Sequence, residues 1–265
     1  MTRVLLITSG KGGVGKTTTA VNLAHSLYSY GRRVVLLDLN LYSADVNLHL
    51  GAFRADKTLH DLLEGNAKEE DVLYTHNSGL IFIPGSVALN KTKKIDADKV
   101  KEGVDKILKF LDKRSEVVVI DAGIIFMNHV KNLLDKVTDI ILVTTPDKES
   151  VVNTLKASKL AEEKGKNIVG VVVNKVKGNK VEMTSEEIEK FIEQPVLVEI
   201  PHDEEVMYAQ RLEFPVTHYK PDANVSVKFR ELASKLIGKS YAEKLAKEEK
   251  ESLFLKILKS LGLAK

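Results

Sequence analysis

A glycine-rich string near the start of the chain constrains the fold more than any other feature. Residues 10–18 have the sequence GKGGVGKTT, directly after an apolar run and before a helical pattern. The pattern G-x-x-x-x-G-K-[ST] fits residues 10–17 in the strand–loop–helix context that supports it. Glycines leave room for backbone N–H groups to surround phosphate oxygens, and the N-terminus of the following helix adds its dipole. The string therefore predicts a phosphate-binding loop, whose members are Gly12, Gly13, Val14, Gly15, Lys16, Thr17 and Thr18.

Two residues at the end of this loop carry the chemistry of the motif. We expect Lys16 to reach the β- and γ-phosphates of a nucleotide, and the Thr17 hydroxyl to be a ligand of Mg²⁺. The alternative is a glycine-rich turn that binds no ligand. The position between a strand and a helix favours the phosphate-binding interpretation.

Short apolar runs rich in β-branched residues alternate with helical patterns along the chain. The run from Val117 to Ile120 does not alternate between apolar and polar residues, so both faces of that strand should be buried, as in a parallel sheet. Strands that alternate with helices imply right-handed crossovers and an α/β fold, with a doubly wound, mostly parallel sheet flanked by helices. The predicted strands are residues 4–8, 34–38, 80–84, 117–121, 140–144, 168–174 and 196–200, and the predicted helices are residues 17–30, 98–113, 130–136, 149–164, 185–193 and 225–238. We expect one P-loop domain over residues 1–238, followed over residues 239–265 by a charged tether and a C-terminal amphipathic helix.

The composition excludes several classes of protein. The absence of cysteine removes disulfides, thiolate metal sites, iron–sulfur clusters and cysteine nucleophiles. No apolar run approaches the ~20 residues that span a bilayer, and the N-terminus leads directly into an apolar strand, so we expect neither a transmembrane helix nor a signal peptide. A net charge of +3 is too small to indicate nucleic-acid binding by itself. We therefore expect a cytoplasmic protein.

Two acidic residues end apolar strands. Asp38 ends the second predicted strand and Asp121 ends the run that begins at Val117. An acid in such a place beside a phosphate loop typically holds Mg²⁺ or one of its waters. Asp38 and Asp121 are therefore candidate metal ligands together with Thr17. The alternative for each acid is a cap of the next segment.

The segment around Asn174 bears on the choice of nucleotide. Residues 174–177 begin like the guanine-binding pattern N-K-x-D. Lys177 stands at the position that must accept a hydrogen bond from the guanine edge, and a lysine can only donate. The sequence therefore favours ATP over GTP. Asn174 as an ordinary turn residue at the end of a strand is the alternative.

A second lysine, Lys11, lies near the start of the loop. In the order K-G-G-x-G-K-T-T it resembles the deviant Walker A signature of the MinD/ParA family of P-loop ATPases, and most closely the MinD-like positioning ATPases. The resemblance extends over nearly the whole chain, and landmarks similar to those of MinD occur in the expected order at residues 59–65, 83–86, 173–175 and 200–203. In that family ATP binding drives a face-to-face homodimer. The resemblance implies that Lys11 reaches the phosphates of the opposite subunit while Lys16 acts within its own, the alternative being that Lys11 is a solvated loop charge.

The resemblance also implies the remaining contacts of a bound Mg-ATP. Asp38 would lie beside the metal, and Asn174 would bind the adenine. Pro201, His202 and Asp203 would pass the base with their backbone.

Both switch segments depart from the family pattern. The family usually has D-x-D at the start of switch I, with the second acid associated with the attacking water, and here Asn40 takes that place. An asparagine can orient a water but cannot act as its base. Asp45 would restore part of this function if it turned toward the γ-phosphate, although we expect the loop to hold it outward as a cap. The D-x-P-A-G of switch II lacks its proline at residues 121–125, so we expect slow ATP hydrolysis, with Lys11, Lys16, Asn40 and Asp45 as candidate catalytic residues.

The end of the chain has the pattern of an amphipathic basic helix. From Ser252 to Lys265, apolar side chains recur at helical spacing with lysines beside them. This pattern suits a membrane interface and resembles the membrane-targeting tail of MinD. We expect the tail to bind an anionic membrane surface at the inner face of the cell membrane. The alternative is a helix that packs on the domain or in the groove of a partner. The apolar residues are Leu253, Phe254, Ile257, Leu258 and Leu261.

Three hypotheses for the function follow. The main one is a MinD-like ATPase whose ATP-dependent homodimer associates with the membrane and positions other proteins, with an unidentified protein partner or activator. A ParA-like partition ATPase on DNA is less favoured, because the lysines are spread evenly along the chain rather than clustered. The third is a nucleotide-binding scaffold with little turnover, which the residue at position 40 suggests.

Overall fold

A mostly parallel sheet of eight strands forms the centre of the protein. The computed structural model describes residues 2–88 and 97–237 of the 265-residue chain. The strands are β1 (Arg3–Ser9), β2 (Val34–Leu39), β3 (Tyr74–Thr75), β4 (Ile81–Ile83), β5 (Val117–Ile124), β6 (Asp139–Thr144), β7 (Asn167–Val176) and β8 (Val196–Pro201). Their order is β3-β4-β2-β5-β1-β6-β7-β8, and each neighbouring pair is parallel except β3 and β4.

Helices cover both faces of this sheet. They are α1 (Lys16–Ser29), α2 (Val46–Leu50), α3 (Leu59–Leu63), α4 (Ala97–Leu111), α5 (Asn128–Leu133), α6 (Lys148–Glu163), α7 (Ser185–Ile192), α8 (Glu205–Arg211), α9 (Val216–Tyr219) and α10 (Asn224–Ile237), and a 3₁₀ turn follows α5 at Leu134–Lys136. Helices α3 to α7 bury their apolar side chains in a core on one face, and α1, α2 and α8 to α10 do so on the other. The doubly wound α/β fold that the sequence predicts is therefore confirmed.

The burial of the central strands explains why uninterrupted apolar runs in the sequence predicted a parallel sheet. All residues of β2, and those of β5 from Val117 to Gly123, are buried, because helices pack on both sides of the sheet. The seven predicted strands and six predicted helices occur with shifts of a few residues at their ends. The structure adds five short elements that the sequence did not predict, which are β3, α2, α3, α8 and α9.

The way each helix begins distinguishes α1 from its neighbours. The side chain of Asp147 caps α6 by accepting a hydrogen bond from the Ser150 N–H at 2.9 Å. Thr184 and Glu187 form a capping box at the start of α7. No side chain in the described part of the chain caps α1, which begins after Gly15 and carries no acidic residue in its first turn. The partial positive charge of this helix N-terminus is thus left for another group.

The predicted tether and amphipathic helix over residues 239–265 lie outside the described residues. Within the described part of the chain, none of the helices has both the length and the apolar character that a membrane crossing requires.

Candidate functional site

The loop between β1 and α1 lies at the carboxyl end of the central strands. Gly15 has φ +94°, and a Cβ at this position would lie 2.0 Å from Nδ2 of Asn174. Neither the backbone conformation nor the space admits a side chain there. The carbonyl of Thr18, in the first turn of α1, accepts a hydrogen bond from Asn22 at 2.8 Å. The loop therefore leads directly into α1 with its backbone pressed against β7.

Two side chains of β7 hold this loop by its carbonyl oxygens. Asn174 Nδ2 donates to the Val14 carbonyl at 2.8 Å, and Lys175 Nζ donates to the Gly13 carbonyl at 2.7 Å. In a trans peptide the N–H group points opposite to the carbonyl of the same unit. The N–H groups of Val14 and Gly15 therefore point away from these donors, which leaves them for an anion.

The sequence assigned Asn174 to the adenine and gave Lys175 no role. The structure places the Asn174 side chain on the loop itself, and its contact with a base stays a prediction. Lys175 adopts a left-handed backbone conformation, with φ 61°. Nothing in the residue order reveals that conformation, which is why the contact of Lys175 with the loop was missed.

Lys16 is buried at the start of α1, with 8% of the residue exposed. Burial lowers its pKa, and the negative charges of Asp121 and Asp45 partly offset that effect. An ammonium group in such a position is stabilised by a bound anion. This placement agrees with the predicted role of Lys16 at the phosphates.

Asp38 and Asp121 lie side by side at the ends of β2 and β5. The two residues are in register across the sheet, and both are fully buried. The Thr17 hydroxyl donates to Asp121 Oδ2 at 2.6 Å, while Asp121 Oδ1 has no hydrogen-bond partner among the described residues. Burial raises the pKa of Asp121 to about 7, against the hydrogen bond from Thr17 and the charge of Lys16. Burial also raises the pKa of Asp38 well above its ordinary value, and the neighbouring Asp121 adds to this rise.

This group of oxygens fits a magnesium ion. Two adjacent buried carboxylates are unfavourable unless a cation offsets their charge, and an unpartnered carboxylate oxygen is available to it. Among the described residues, no three acidic, histidine or cysteine side chains converge on a metal position. Magnesium does not need three, because it usually takes one or two carboxylates together with phosphate oxygens and waters. Thr17, Asp38 and Asp121, the residues that the sequence selected, are the ones that would hold it.

Asp38 holds switch I, residues 38–48, at two points. Asp38 Oδ1 accepts from the Asn40 N–H at 3.1 Å and Oδ2 accepts from the Val46 N–H at 3.3 Å. Asp45 directly precedes α2, but its side chain does not cap this helix. Asp45 instead accepts from the Ser43 hydroxyl at 2.6 Å and from Asn40 Nδ2 at 3.4 Å. The expectation of a cap is therefore wrong for helix α2, and Asp45 makes its hydrogen bonds within switch I instead.

Lys11 is bound to its own chain. Its Nζ lies 2.8 Å from Oε2 of Glu149, in the first turn of α6, and both side chains are partly exposed. The hydrogen bond to Glu149 raises the pKa of Lys11. A Cβ at Gly10 would lie 2.0 Å from the Asn153 carbonyl, so the start of the loop packs directly on α6. This close approach brings Lys11 next to Glu149.

The predicted base-binding residues follow β8. Pro201 is in register with Val176, and the His202 N–H donates to the Val176 carbonyl at 2.8 Å. The Asp203 carboxylate accepts from the Glu205 N–H at 2.9 Å, at the start of α8. The sheet thus brings Pro201, His202 and Asp203 to the same end as Asn174, and their contact with a base stays a prediction.

Known proteins match this chain over most of its length. The model of the CobQ/CobB/MinD/ParA nucleotide-binding domain matches residues 5–216. The chain belongs to this family. An uncharacterised ATP-binding protein of Methanocaldococcus jannaschii is 32% identical over 261 residues, which are 98% of this chain and 97% of that protein. The septum site-determining protein MinD of Bacillus subtilis is 27% identical over 273 residues, 99% of each chain.

A solved structure agrees with these sequence matches. The septum site-determining protein MinD of Pyrococcus horikoshii, complexed with Mg-ADP, has a TM-score of 0.82 and 30% identity to this chain. The match covers 89% of this chain and 96% of that one. By sequence and by structure the chain is thus a MinD-like member of a family of nucleotide-binding ATPases.

Switch II of this family member continues as a strand. β5 extends beyond Asp121 to Ile124, and the Thr8 hydroxyl donates to the Gly123 carbonyl at 2.8 Å. A proline would remove a backbone donor and restrict φ, and the sequence has none here. Gly123 therefore stays in the sheet beside β1, next to the metal-binding end of the strand.

Proposed function

We propose that this MinD-like protein binds Mg-ATP at the β1–α1 loop and forms an ATP-dependent homodimer. As a dimer it would associate with an anionic membrane and position partner proteins there. The observation that carries the proposal is the buried set of charges formed by Lys16, Asp38 and Asp121 beneath an uncapped helix N-terminus.

This set of charges matches the two parts of Mg-ATP. The carboxylates of Asp38 and Asp121 and the hydroxyl of Thr17 are ligands of the kind that magnesium takes. Lys16 and the loop N–H groups supply the positive charge and the donors that phosphate oxygens need. A magnesium ion held by Thr17, Asp38 and Asp121 would offset negative charge on the phosphates. A simple glycine-rich turn would not need a pair of buried carboxylates beside it.

The position of Lys11 supports the homodimer. Lys11 is exposed enough to leave Glu149, because a solvated ion pair gains little from its contact. In our proposal, the phosphates of the opposite subunit replace Glu149 as the partner of Lys11. A second copy then completes each nucleotide site with a positive charge that the single chain does not place there.

Slow hydrolysis follows from switch I. Asn40 accepts or donates a hydrogen bond but has no carboxylate to take a proton from water. Lys16 and Lys11 still supply the charge stabilisation that dominates phosphoryl transfer. We therefore propose turnover that is slow but not absent, so that the ATP-bound dimer persists.

The sequence pattern of residues 252–265 supports the membrane part of the proposal. Fully burying one apolar side chain contributes ~1.5–3 kcal/mol, and insertion into an interface captures only part of this for each residue. One tail should therefore bind weakly. Two tails on one dimer make the second insertion intramolecular, which raises avidity by ~10²–10⁴. In this way ATP binding would recruit a cytoplasmic protein to the inner face of the cell membrane.

Liposome co-sedimentation tests the proposal. The full chain is mixed with anionic or neutral vesicles in Mg-ATP, Mg-ADP or no nucleotide, and a variant truncated after Lys250 is the control. We expect the full chain to sediment with anionic vesicles mainly in Mg-ATP, and the truncated chain to stay in solution although it still binds ATP. Equal binding in the three nucleotide states would contradict the link to dimerisation. ATP-dependent binding to DNA instead of vesicles would favour the partition-ATPase alternative.

A further inference from the structure

His129 is a buried polar residue that the site described above does not use. It is the second residue of α5, and 4% of it is exposed. Its Nε2 has no hydrogen-bond partner among the described residues. A buried polar atom without a partner destabilises the folded state, so its presence calls for an explanation other than packing.

The surroundings of His129 connect it to both switches. Its ring lies 5.5 Å from that of Tyr42 in switch I, measured between centroids. A Cβ at Gly123, in switch II, would lie 4.0 Å from His129 Nε2 and 3.5 Å from Asn40 Oδ1. Two polar atoms, one from switch I and one from the helix after switch II, therefore approach the same stretch of backbone.

One hydrogen bond and one electrostatic interaction connect this point with the phosphate loop. Asn40 Nδ2 donates to Asp45 Oδ2 at 3.4 Å, and burial lowers the pKa of Lys16, an effect that the charge of Asp45 partly offsets. Gly123 is two residues beyond Asp121 on β5. Asn40 follows Asp38 by two residues and its N–H donates to Asp38, so the atoms of Asn40 and His129 that approach Gly123 lie next to the chain segments of the predicted metal ligands.

The chemistry of hydrolysis requires two acceptors in this region. An attacking water must direct a lone pair at phosphorus, so both of its O–H bonds need acceptors elsewhere. An amide oxygen such as Asn40 Oδ1 can accept one of these hydrogen bonds but cannot take a proton. A neutral imidazole nitrogen accepts a hydrogen bond and can also take a proton, and burial lowers the pKa of His129, which favours the neutral ring.

We propose that His129 is the second acceptor for the attacking water and supplies the proton acceptor that Asn40 lacks. This inference rests on the proposed ATPase function. In the step, the water oxygen forms a bond to the γ-phosphorus, and the bond from that phosphorus to the bridging oxygen breaks with its electron pair on ADP. The proton that the water loses passes to His129 Nε2 and then to solvent, so that the products are ADP, inorganic phosphate and one proton.

Single-turnover hydrolysis of ATP by the full chain with anionic vesicles tests the proposal. We expect His129→Phe, which keeps a ring against Tyr42, to lower the rate by ~10²-fold while the dissociation constant of ATP stays within about two-fold. His129→Gln should be intermediate, because it keeps an acceptor that cannot take a proton. Met127→Leu is the matched control, since the Met127 sulfur also packs on Gly123 but plays no polar part, and it should hydrolyse ATP at the wild-type rate.

The same substitution in the Asn40→Asp background separates catalysis from packing. With a carboxylate at position 40, His129→Phe should lower the rate of ATP hydrolysis by less than about ten-fold, because the carboxylate can still take the proton from the water. Wild-type hydrolysis by both His129 variants, or an equal loss in the two backgrounds, would overturn this inference alone. If the wild-type protein binds ATP but does not hydrolyse it even in a single turnover, the proposed ATPase activity fails as well.

Discussion

Alanine substitutions at three glycines of the phosphate loop, with increasing expected effects on stability, test how strand β7 supports this loop. A Cβ at Gly12 or Gly13 would meet nothing within 4 Å, but Gly13 has φ +75°. Gly15 combines φ +94° with a contact of 2.0 Å to Asn174. Gly12→Ala should thus be neutral or stabilising by up to about 1 kcal/mol, because alanine restricts the unfolded chain. Gly13→Ala should lower the free energy of unfolding by roughly 1 kcal/mol. The left-handed conformation costs alanine about 1–2 kcal/mol, and the restriction of the unfolded chain offsets part of that cost.

Gly15→Ala should have the largest effect of the three. This variant has the same conformational cost of about 1–2 kcal/mol, and it also loses the buried hydrogen bond from Asn174 to the Val14 carbonyl, which contributes about 1–3 kcal/mol. We therefore expect its free energy of unfolding to fall by roughly 2–5 kcal/mol. Urea unfolding without nucleotide measures the free energy of unfolding of the three variants, and calorimetric titration measures their affinity for Mg-ATP. Gly12→Ala is the matched control for the unfolding measurement, and wild type is the reference for ATP binding. If Gly15→Ala is as stable as Gly12→Ala and binds ATP as tightly as wild type, Asn174 does not support the loop as described.

Two further predictions concern catalysis and pH. Asn40→Asp should raise steady-state turnover with vesicles by ~10²-fold or more, because it adds a carboxylate base at the water; if it is no faster and Asp45→Asn is inactive, Asp45 is the acidic residue that acts as the base. Burial lowers the pKa of His25 to about 4 from 6.5, so the unfolded chain binds its proton first as the pH falls. His25 therefore contributes stability that is complete above pH 6.5 and is lost between pH 6.5 and about 4, by about 3 kcal/mol. Urea unfolding at about pH 7.5 and pH 4.5 should show a smaller decrease for His25→Gln than for wild type, and equal decreases would refute the assignment.

Much of the fold could be predicted because its strands are buried on both faces. A run such as Val117 to Ile120 has no polar position, and a long amphipathic pattern such as that of α4 has only one apolar face. Both patterns can be recognised from the local sequence alone. The short elements cannot be predicted in this way, because helices α2 and α3 have five residues each and are stabilised by tertiary contacts. Strand β3 has two residues and, among the described strands, pairs with β4 alone.

In the candidate site too, some residues could be predicted from the local sequence and others depend on tertiary contacts. Lys16, Thr17 and Asp121 were predictable, because a motif fixes the first two and a strand end fixes the third. The bonds of Asp45 were not predictable, because they form with Asn40 and Ser43 only once switch I has folded. His129 gave no sequence signal, since its significance lies in contacts between segments that are far apart in the chain.

Sedimentation velocity of the full chain tests the central claim, that Mg-ATP drives a homodimer through the second lysine of the loop. The measurement compares wild type, Lys11→Ala and Lys16→Ala in Mg-ATP, Mg-ADP and no nucleotide, with ATP binding determined separately for each protein. We predict a dimer only for wild type in Mg-ATP, a monomer that still binds ATP for Lys11→Ala, and loss of nucleotide binding for Lys16→Ala. A Lys11→Ala protein that dimerises normally in Mg-ATP would contradict the account.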